Sequence, residues 1–387
     1  MPETDSAASA ARRRLAEIPA AVVHDWLLGM RGGEWVLESI LNLLPSAHVH
    51  TLFYRPDSVI TSINRRAIHP SALNGLPGVR HYYRWLLPWL PQAIEAMPID
   101  PDRRLVLATS HCVAHGIKTP PGSVHINYYF SPMRYLYDQQ WLYRQRGGLA
   151  SLGLKTWSGR LGRWDVEAAA RADHIWAISQ FVARRVEQAY GRKPRVIYPP
   201  VRTQRFVPPD APRRSTEYLL VSAMVPYKRI SLAIACANRL KLPLRVVGQG
   251  PLLGAMRQMA GPSVRVVGPV GERELIELYQ TRRALIYAAE EDFGIVPLEA
   301  MACGMPVLGL RAGGLKETIQ EGVTGAFFDE PTEDCLAAAL EKFEPEAYAA
   351  AACRARAEAF GEERFLDEIA QAMIEALEAS ENGRVTR

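Results

Sequence analysis

Cysteine is scarce in this chain and its apolar runs are short. The five cysteines are odd in number and no two form a C-x-x-C pair, which argues against a disulfide framework or a zinc ribbon and favours a reducing compartment. No stretch reaches the roughly 18 apolar residues that span a bilayer, and the N-terminal segment lacks the apolar core of a signal peptide. We therefore expect a cytoplasmic protein, either soluble or peripheral on the inner face of the plasma membrane.

A strong charge of either sign is also lacking. The net charge of +5 is too small to argue for nucleic acid as a partner. It suits a phosphate-bearing ligand or an anionic membrane surface, although the commoner interpretation is a solvated basic face. What the chain does have is 387 residues and a hydrophobic fraction of 48%, which is enough for two or three domains with separate cores.

The N-terminal half alternates short apolar strands with helices. Its first predicted strand spans 20–24, and a loop with Gly29, Gly32 and Gly33 leads into a helix from Glu34 to about Leu44. Strand, glycine loop and helix in this order are typical of the start of a Rossmann-like unit. Further predicted strands are 105–109, 125–129, 174–178 and 195–198, and predicted helices include 166–171 and 180–190.

A second alternating series follows a proline-containing connector at Pro199–Pro200 and 208–212. Its predicted strands are 218–222, 244–247, 264–267, 284–288 and 306–310, and an amphipathic helix from about Arg364 to Ala379 ends the series. We predict an α/β protein with a disordered tail at 1–18, Rossmann-like domains at 19–205 and 206–365, and a final helix and tail at 366–387. A return of that helix to the first domain is left open. Two such domains place the default ligand site in a cleft between them.

The most informative stretch contains Glu291 and Glu299, which are separated by seven residues. Pro297 is suited to the start of a helix, which would place Glu291 in a loop and Glu299 in the first turns. The helix N-terminus suits a phosphate, and each carboxylate can accept hydrogen bonds from vicinal hydroxyls. A bare spacing of this kind, however, favours two ordinary surface acids.

The surrounding residues resemble a known family. The segment EEDFGIVPLEAMACGMPVLG is similar to the E-x7-E signature of the retaining GT-B glycosyltransferases of family four, as are Gly313-Gly314, Glu317 and the segment at 322–325. Segments such as HDWLLGMRGGE, SPMRYLYD and MVPYKRISLAI resemble bacterial O-antigen and exopolysaccharide mannosyltransferases. The resemblance runs from about Val22 to Phe365 and implies the GT-B fold, with two Rossmann-like domains facing an inter-domain cleft.

The resemblance also implies roles for single residues. Glu291 would contact the transferred sugar, Glu299 would hold the ribose, and Lys228 would bind the donor diphosphate and stabilise the leaving group. Without the resemblance, Lys228 is a solvated lysine at a helix start and the glycine loop is a tight turn. Further donor-binding residues implied are Gly32, Gly33, Gly248, Gly294, Ile295 and Arg229.

Two positions depart from the family pattern. Ala223 stands where an arginine is usual, and Phe130 stands where the subgroup has a histidine. Losing one preorganised contact to the leaving diphosphate can lower the rate by about 10²–10³-fold. Phe130 could instead shape the sugar pocket, together with Arg134 and Asp25. Residues that could compensate are Arg134, Arg229, His111, His115 and His125.

The resemblance implies a nucleotide sugar as substrate, with GDP-mannose as the best guess, and neither a metal nor another cofactor. The sequence Asp100-Pro101-Asp102 has the D-x-D form of a metal signature, but it precedes a strand in a proline loop and predicts a turn. The implied acceptor is a glycan on polyprenyl diphosphate. The apolar and aromatic segment His81–Ile94 is then either buried packing or a surface that touches membrane or the acceptor lipid.

Three functions remain open from the sequence. The first is an active retaining hexosyltransferase, a mannosyltransferase of surface polysaccharide biosynthesis such as lipopolysaccharide or exopolysaccharide. The second is a catalytically degenerate GT-B protein that binds a nucleotide or glycan, or scaffolds a partner, and Ala223 and Phe130 motivate it. The third, a GT-B sugar-nucleotide epimerase, fits the E-x7-E context poorly.

Overall fold

A computed structural model describes residues 7–137, 149–210 and 215–385. The chain forms two compact domains. The N-terminal domain comprises residues 1–199 and 365–387, and the C-terminal domain comprises 200–364. The end of the connector predicted at 208–212 lies outside the described residues. Within the described ranges, no helix is both long and apolar enough to cross a bilayer.

The N-terminal domain contains a seven-stranded parallel sheet in the order β3-β2-β1-β4-β5-β6-β7. Its middle strands are buried along their whole length, as expected for a parallel sheet with both faces covered. The strands are β1 (Ala20–Leu27), β2 (His48–Tyr54), β3 (Ile68–Pro70), β4 (Leu105–Ser110), β5 (Val124–Tyr129), β6 (His174–Ala177) and β7 (Arg195–Val196).

The helices of this domain connect the strands. They are α1 (Ala7–Ala16), α2 (Gly32–Leu43), α3 (Thr61–Asn64), α4 (Val79–Tyr82), α5 (Leu90–Glu95), α6 (Arg134–Tyr137), α7 (Leu149–Ala170) and α8 (Gln180–Tyr190). A 3₁₀ helix at Tyr83–Trp89 joins α4 to α5. The Asp100–Asp102 segment is a turn as predicted, closed by a hydrogen bond of 3.1 Å from the Arg103 N–H to the Asp100 carbonyl.

The prediction of a disordered tail at residues 1–18 is wrong for residues 7–16, which form α1. Ala, Arg and Leu are strong helix formers. The helix buries Ala11 and Leu15, and the Arg12 guanidinium pairs with Asp367 at 2.7 Å within the same domain. The segment is therefore ordered because its apolar side packs on the domain. Its many charged residues had favoured a disordered tail.

The C-terminal domain contains a six-stranded parallel sheet in the order β10-β9-β8-β11-β12-β13. Two strand series extend in opposite directions from the central pair β8 and β11, which pair at Leu219 and Leu285. In sheets of this kind ligands bind at the carboxyl ends of the central strands. The strands are β8 (Tyr218–Val221), β9 (Leu244–Val247), β10 (Val264–Gly268), β11 (Leu285–Tyr287), β12 (Val307–Leu310) and β13 (Gly325–Phe328).

Helices cover both faces of this sheet around a core that includes Leu220, Ile286 and Leu308. They are α9 (Ile230–Arg239), α10 (Leu253–Met259), α11 (Glu272–Thr281), α12 (Ile295–Ala302), α13 (Leu315–Thr318), α14 (Glu333–Lys342) and α15 (Ala350–Glu358). The last helix, α16 (Glu362–Val385), starts in this domain and continues in the N-terminal one. Its predicted apolar stripe is buried.

The order of α1 is testable through Leu15, whose side chain is fully buried. We expect Leu15→Ala to lower the free energy of unfolding of the N-terminal domain by about 2–4 kcal/mol, because the truncation leaves a cavity. Arg13→Ala, at an exposed position of the same helix, is the control. Chemical unfolding of both variants measures the difference. Equal stabilities would mean that α1 is not packed on the domain.

Candidate active site

The carboxyl end of β8 carries Lys228. After the strand the chain forms a 3₁₀ turn at Pro226–Lys228, and Arg229 then adopts the left-handed conformation with φ of 50°. Such a φ is uncommon outside glycine and costs about 1–3 kcal/mol. It allows α9 to begin at the next residue. The backbone therefore fixes Lys228 and Arg229 next to the end of a central strand.

Glu291 follows β11, the strand that neighbours β8. The ammonium group of Lys228 donates to Oε1 of Glu291, and the hydroxyl of Tyr287 donates to the same oxygen. The side chains of Lys228 and Glu291 are 13% and 14% exposed, so the pair is shielded but not closed to a ligand. Burial and the Glu291 carboxylate raise the pKa of Tyr287 well above its ordinary value, so the phenol stays protonated and acts as a donor.

Two glycines hold the Glu291 segment in place. The N–H of Gly314 donates to the Glu291 carbonyl at 2.8 Å. A Cβ atom at Gly313 would lie 2.3 Å from that carbonyl oxygen, and one at Gly314 would lie 2.5 Å from Cα of Phe293. Both distances exclude a side chain, so the close approach of these two loops requires glycine.

Glu299 lies on α12, which begins after Gly294 with its φ of 107°. Burial raises the pKa of Glu299 to about 7, and the Arg202 guanidinium, with Nη2 at 3.9 Å, opposes this rise. Burial and the nearby Glu299 carboxyl raise the pKa of the Tyr279 hydroxyl well above its ordinary value. At neutral pH the free site therefore holds Glu299 close to half-ionised, and donors that favour the carboxylate shift it to the charged form.

Gly248 places a third loop at the same edge of the C-terminal sheet. It follows β9 with a φ of 146°, and a Cβ there would lie only 1.8 Å from the carbonyl oxygen of Ser222. The Met224 N–H donates to the Gln249 carbonyl at 2.8 Å and ties the loops after β8 and β9 together. The structure thus brings Lys228, Gly248 and Glu291 to the carboxyl ends of three adjacent strands.

Arg229 has an unsatisfied group. Its Nη1 atom is buried and has no hydrogen-bond partner among the residues that the structure describes. A buried N–H group without a partner is energetically unfavourable, and an anionic ligand would satisfy it. Ala223, in contrast, is exposed and offers no polar side chain.

Sequence reasoning missed two side chains of this site. Arg202 lies between two acids, with Nη1 at 2.7 Å from Oε2 of Glu272 and Nη2 at 3.9 Å from Glu299. Tyr287 holds the carboxylate of Glu291. Arg202 stands in the connector and Tyr287 ends a buried strand, so neither position carries a local signal.

In the N-terminal domain, the structure brings Gly33 and Phe130 together. A Cβ at Gly33 would lie 3.0 Å from Cε2 of Phe130, so the ring packs directly on the turn that starts α2 at Gly32. Phe130 is 9% exposed and meets the His24 ring edge-on at 6.2 Å. Arg134 starts α6 and is partly exposed. Phe130 therefore shapes the turn of Gly32 and Gly33 whatever the ligand.

The His24 ring is held in one tautomer. The Thr109 hydroxyl donates to the Val23 carbonyl at 3.1 Å, so Nδ1 of His24 must donate to Thr109 Oγ1 at 2.8 Å. Burial lowers the pKa of His24 to about 3, which keeps the ring neutral. Of the histidines proposed to compensate at position 130, His115 and His125 are buried within the domain, whereas the His111 side chain is 32% exposed.

Asp25 was predicted to line the acceptor or sugar pocket, but its carboxylate is fully buried and engaged by backbone donors, which gives it a structural role instead. Oδ2 accepts from the N–H groups of His111 and Cys112 at 2.7 and 2.9 Å, and Oδ1 accepts from those of Val113 and Ala114 at 2.7 and 2.8 Å. Burial opposes ionisation, but His111 and these donors lower the pKa of Asp25. Asp25 therefore stabilises the turn after β4.

No group of three or more His, Cys, Asp or Glu side chains within the described ranges has the arrangement of a metal site. The polar groups that the C-terminal domain offers a ligand are instead two basic side chains, Lys228 and Arg229, and two carboxyls, Glu291 and Glu299. Cations next to hydrogen-bond acceptors suit a ligand that carries both phosphate and hydroxyl groups.

Comparison with known proteins extends this chemistry. Residues 202–360 match the family model of glycosyl transferases group 1. The chain is 31% identical over 245 residues to a D-inositol 3-phosphate glycosyltransferase of Geodermatophilus obscurus, an alignment of 55% of this chain and 54% of that protein. It is 30% identical over 201 residues to a GDP-mannose-dependent alpha-(1-6)-phosphatidylinositol monomannoside mannosyltransferase of Mycolicibacterium smegmatis, 44% of this chain and 52% of that protein.

The chain therefore spans about half the length of the curated relatives it matches. Among solved structures, sucrose-phosphate synthase from Thermosynechococcus elongatus superimposes with a TM-score of 0.72 at 17% identity, covering 94% of this chain and 100% of that one. The prediction of two Rossmann-like α/β domains of the GT-B fold is confirmed. The family match and the fold together support a GT-B glycosyltransferase.

The raised pKa of Glu299 predicts a pH dependence of nucleotide binding. If Glu299 holds the ribose, as the sequence resemblance implies, ribose hydroxyls donate to its carboxylate and affinity for GDP should fall as the pH drops through 7. Between pH 8 and pH 6 the ionised fraction falls about tenfold, which sets the expected loss. Isothermal titration calorimetry at both pH values measures it.

Glu299→Gln is the matched control, because it keeps the shape and cannot titrate. The GDP phosphates titrate equally in both proteins, so the difference between the two profiles carries the test. Identical profiles for the two proteins would show that Glu299 does not contact the nucleotide.

Proposed function

We propose that the chain is a retaining glycosyltransferase that moves a hexose, best assigned as mannose from GDP-mannose, to a lipid-linked or oligosaccharide acceptor in surface polysaccharide biosynthesis. The single observation that carries this proposal is the Lys228–Glu291 pair at the carboxyl ends of the central strands β8 and β11. Ligands of such sheets bind at that place.

The proposed donor binding uses the charges of the C-terminal domain. The diphosphate oxygens would accept hydrogen bonds from the ammonium group of Lys228 and from the unsatisfied Nη1 of Arg229. Lys228 would then release Glu291, whose carboxylate accepts hydrogen bonds from sugar hydroxyls while Tyr287 keeps it oriented. Glu299 would accept from the ribose. Charge-assisted hydrogen bonds of this kind contribute about 1.5–3 kcal/mol each.

The proposed chemistry relies on leaving-group stabilisation. As the bond between the sugar and the diphosphate breaks, negative charge develops on the phosphate oxygens, next to Lys228 and Arg229. Fixed positive groups stabilise that charge without reorganisation. The leaving phosphate can take the proton of the acceptor hydroxyl on the same face of the sugar, which retains the anomeric configuration. Glu291 is then not required as a nucleophile.

Several further assignments belong to this proposal. The backbone of Gly32 and Gly33 would contact the diphosphate, and Phe130 and Arg134 would line the sugar or acceptor pocket. The donor is supported by the mycobacterial relative, whose name specifies GDP-mannose. A phosphorylated acceptor is supported by both relatives, named for inositol 3-phosphate and for a phosphatidylinositol mannoside. No metal would be needed, and the protein would work at the cytoplasmic face of the membrane.

A second candidate function is a GT-B protein that binds its ligands without turnover. Ala223 favours it, because this exposed residue beside β8 offers no charge to a leaving group. Phe130 favours it as well, because a phenyl ring cannot take part in proton transfer. The two candidates differ only in product formation.

We expect Glu291→Gln and Lys228→Ala each to lower kcat by about 10²–10³-fold, because each removes one preorganised contact to the reacting groups. Mass spectrometry of products from a screen of GDP- and UDP-sugars with prenyl-diphosphate-linked acceptors measures transfer. Glu274→Gln, an exposed acid in the same domain, is the control. Nucleotide binding without product from any pair of substrates would favour the second candidate.

The role of Ala223 has its own test. If Arg229 already stabilises the leaving group, Ala223→Arg should change kcat by less than about threefold. A gain of about 10²-fold or more would instead mean that the natural site is impaired. Initial rates with the best donor of the screen measure the effect, and Ala223→Gln controls for side-chain size.

A further inference from the structure

A basic cleft of about 400 Å³ lies entirely within the N-terminal domain. It lies beside the carboxyl ends of β1 and β2 and the start of α2. Four arginines line it, and they come from separate parts of the chain: Arg31 precedes α2, Arg55 follows β2, Arg80 lies on α4, and Arg84 lies on the 3₁₀ helix before α5.

None of these four guanidinium groups forms an ion pair with any described residue. The Arg311 guanidinium, in contrast, pairs with Asp329 at 2.5 Å and with Glu321 at 2.6 Å. Unpaired cations gathered in one cleft repel each other and raise the local concentration of anions. The charge of the cleft therefore matches a multiply charged anion.

Glu34 is the one acidic residue among those that line the cleft. Its carboxyl is buried and accepts the backbone N–H of Arg31 at 3.0 Å. Burial raises the pKa of Glu34 to about 7, so at neutral pH it carries only part of a negative charge. It offsets at most one of the four guanidinium charges, and the cleft stays strongly positive.

The wall of the cleft is aromatic. The rings of Trp26 and Tyr83 meet edge to face at 5.2 Å, and Cζ of Arg84 lies 4.9 Å from the centre of the Tyr83 ring. This stacking orients the Arg84 guanidinium while leaving its N–H donors available. A guanidinium held in this way suits phosphate oxygens.

The 3₁₀ helix that carries Arg84 also carries two exposed tryptophans. Trp85 and Trp89 are 64% and 58% exposed, whereas Tyr83 and Leu87 of the same helix are buried in the domain core. Of the predicted alternatives for residues 81–94, buried packing is confirmed for the face with Tyr83 and Leu87. Contact of the exposed face with a membrane or an acceptor lipid stays a prediction. Tryptophan prefers the interface between a bilayer and water.

We propose that this cleft binds the diphosphate group of a lipid-linked acceptor, while Trp85 and Trp89 enter the bilayer interface beside it. The positions of the four arginines are the evidence for an anion site. Its assignment to the acceptor rests on the proposed function. The bidentate fork of each arginine fits two phosphate oxygens, so a diphosphate can engage several of the four at once. A free inorganic pyrophosphate shares this chemistry but lacks the lipid.

The anion site is tested with the full chain carrying Lys228→Gln, which weakens the other diphosphate site. We expect inorganic pyrophosphate and geranyl diphosphate to bind, and Arg55→Gln together with Arg84→Gln to weaken both by about tenfold or more. Arg65→Gln, an exposed arginine outside the cleft, should change neither. Both cleft arginines are exposed, so unchanged unfolding temperatures confirm intact folding. Equal affinity in the double variant would overturn the proposal.

The lipid source is tested with phosphatidylcholine vesicles that contain undecaprenyl diphosphate, and with vesicles that contain phosphatidylglycerol at equal charge. We expect flotation with the first and much less with the second. Trp85→Ala with Trp89→Ala should reduce flotation at least about tenfold and leave pyrophosphate affinity unchanged. Equal flotation with both vesicles would overturn the assignment to a diphosphate lipid.

Parallel measurements separate this inference from the proposed function. If the arginine variant transfers sugar to lipid-linked acceptor with unchanged KM, the cleft is not the acceptor site although the enzyme assignment stands. If the cleft binds geranyl diphosphate but the natural chain transfers no sugar, the proposed function fails and the anion site stands.

Discussion

Close backbone contact at the carboxyl edge of the C-terminal sheet is the constraint on which the candidate active site depends. A Cβ at Gly248 would overlap the Ser222 carbonyl, and one at Gly313 would overlap the Glu291 carbonyl. These loops pack backbone to backbone, which fixes the ends of β8 and β11 without long side chains between them. Lys228 and Glu291 can then meet at a shielded place that still admits a ligand.

Much of the fold was predictable because its strands are short, apolar and separated by helical patterns. The strand at Leu244–Val247 and the helix at Gln180–Tyr190 match their predicted bounds. The strand β2 was missed because His48, His50 and Thr51 interrupt its apolar run. These polar residues are accommodated by tertiary contacts, such as the stacking of His50 on His69 at 4.9 Å, which no local pattern reports.

In the candidate site, only the residues that stand in sequence motifs were predictable. Lys228, Glu291 and Glu299 stand in recognisable segments, and the structure places the first two in contact. Arg202 and Tyr287 act through distant partners, so their roles follow only from the folded chain. The arginines of the basic cleft come from four separate segments and share no spacing in the sequence. Asp25 stands in a motif-like segment, yet its four backbone donors give it a structural role.

The carboxylate of Asp25 accepts hydrogen bonds from four main-chain N–H groups, so the turn after β4 depends on a single side chain. An asparagine of the same shape would present one oxygen and one amide, so two of the four N–H groups would face another donor. A glutamate would be one methylene longer at a position that is fully buried, and closely packed interiors tolerate added volume poorly. At position 25, therefore, neither conservative replacement preserves all four of these hydrogen bonds without rearranging the turn.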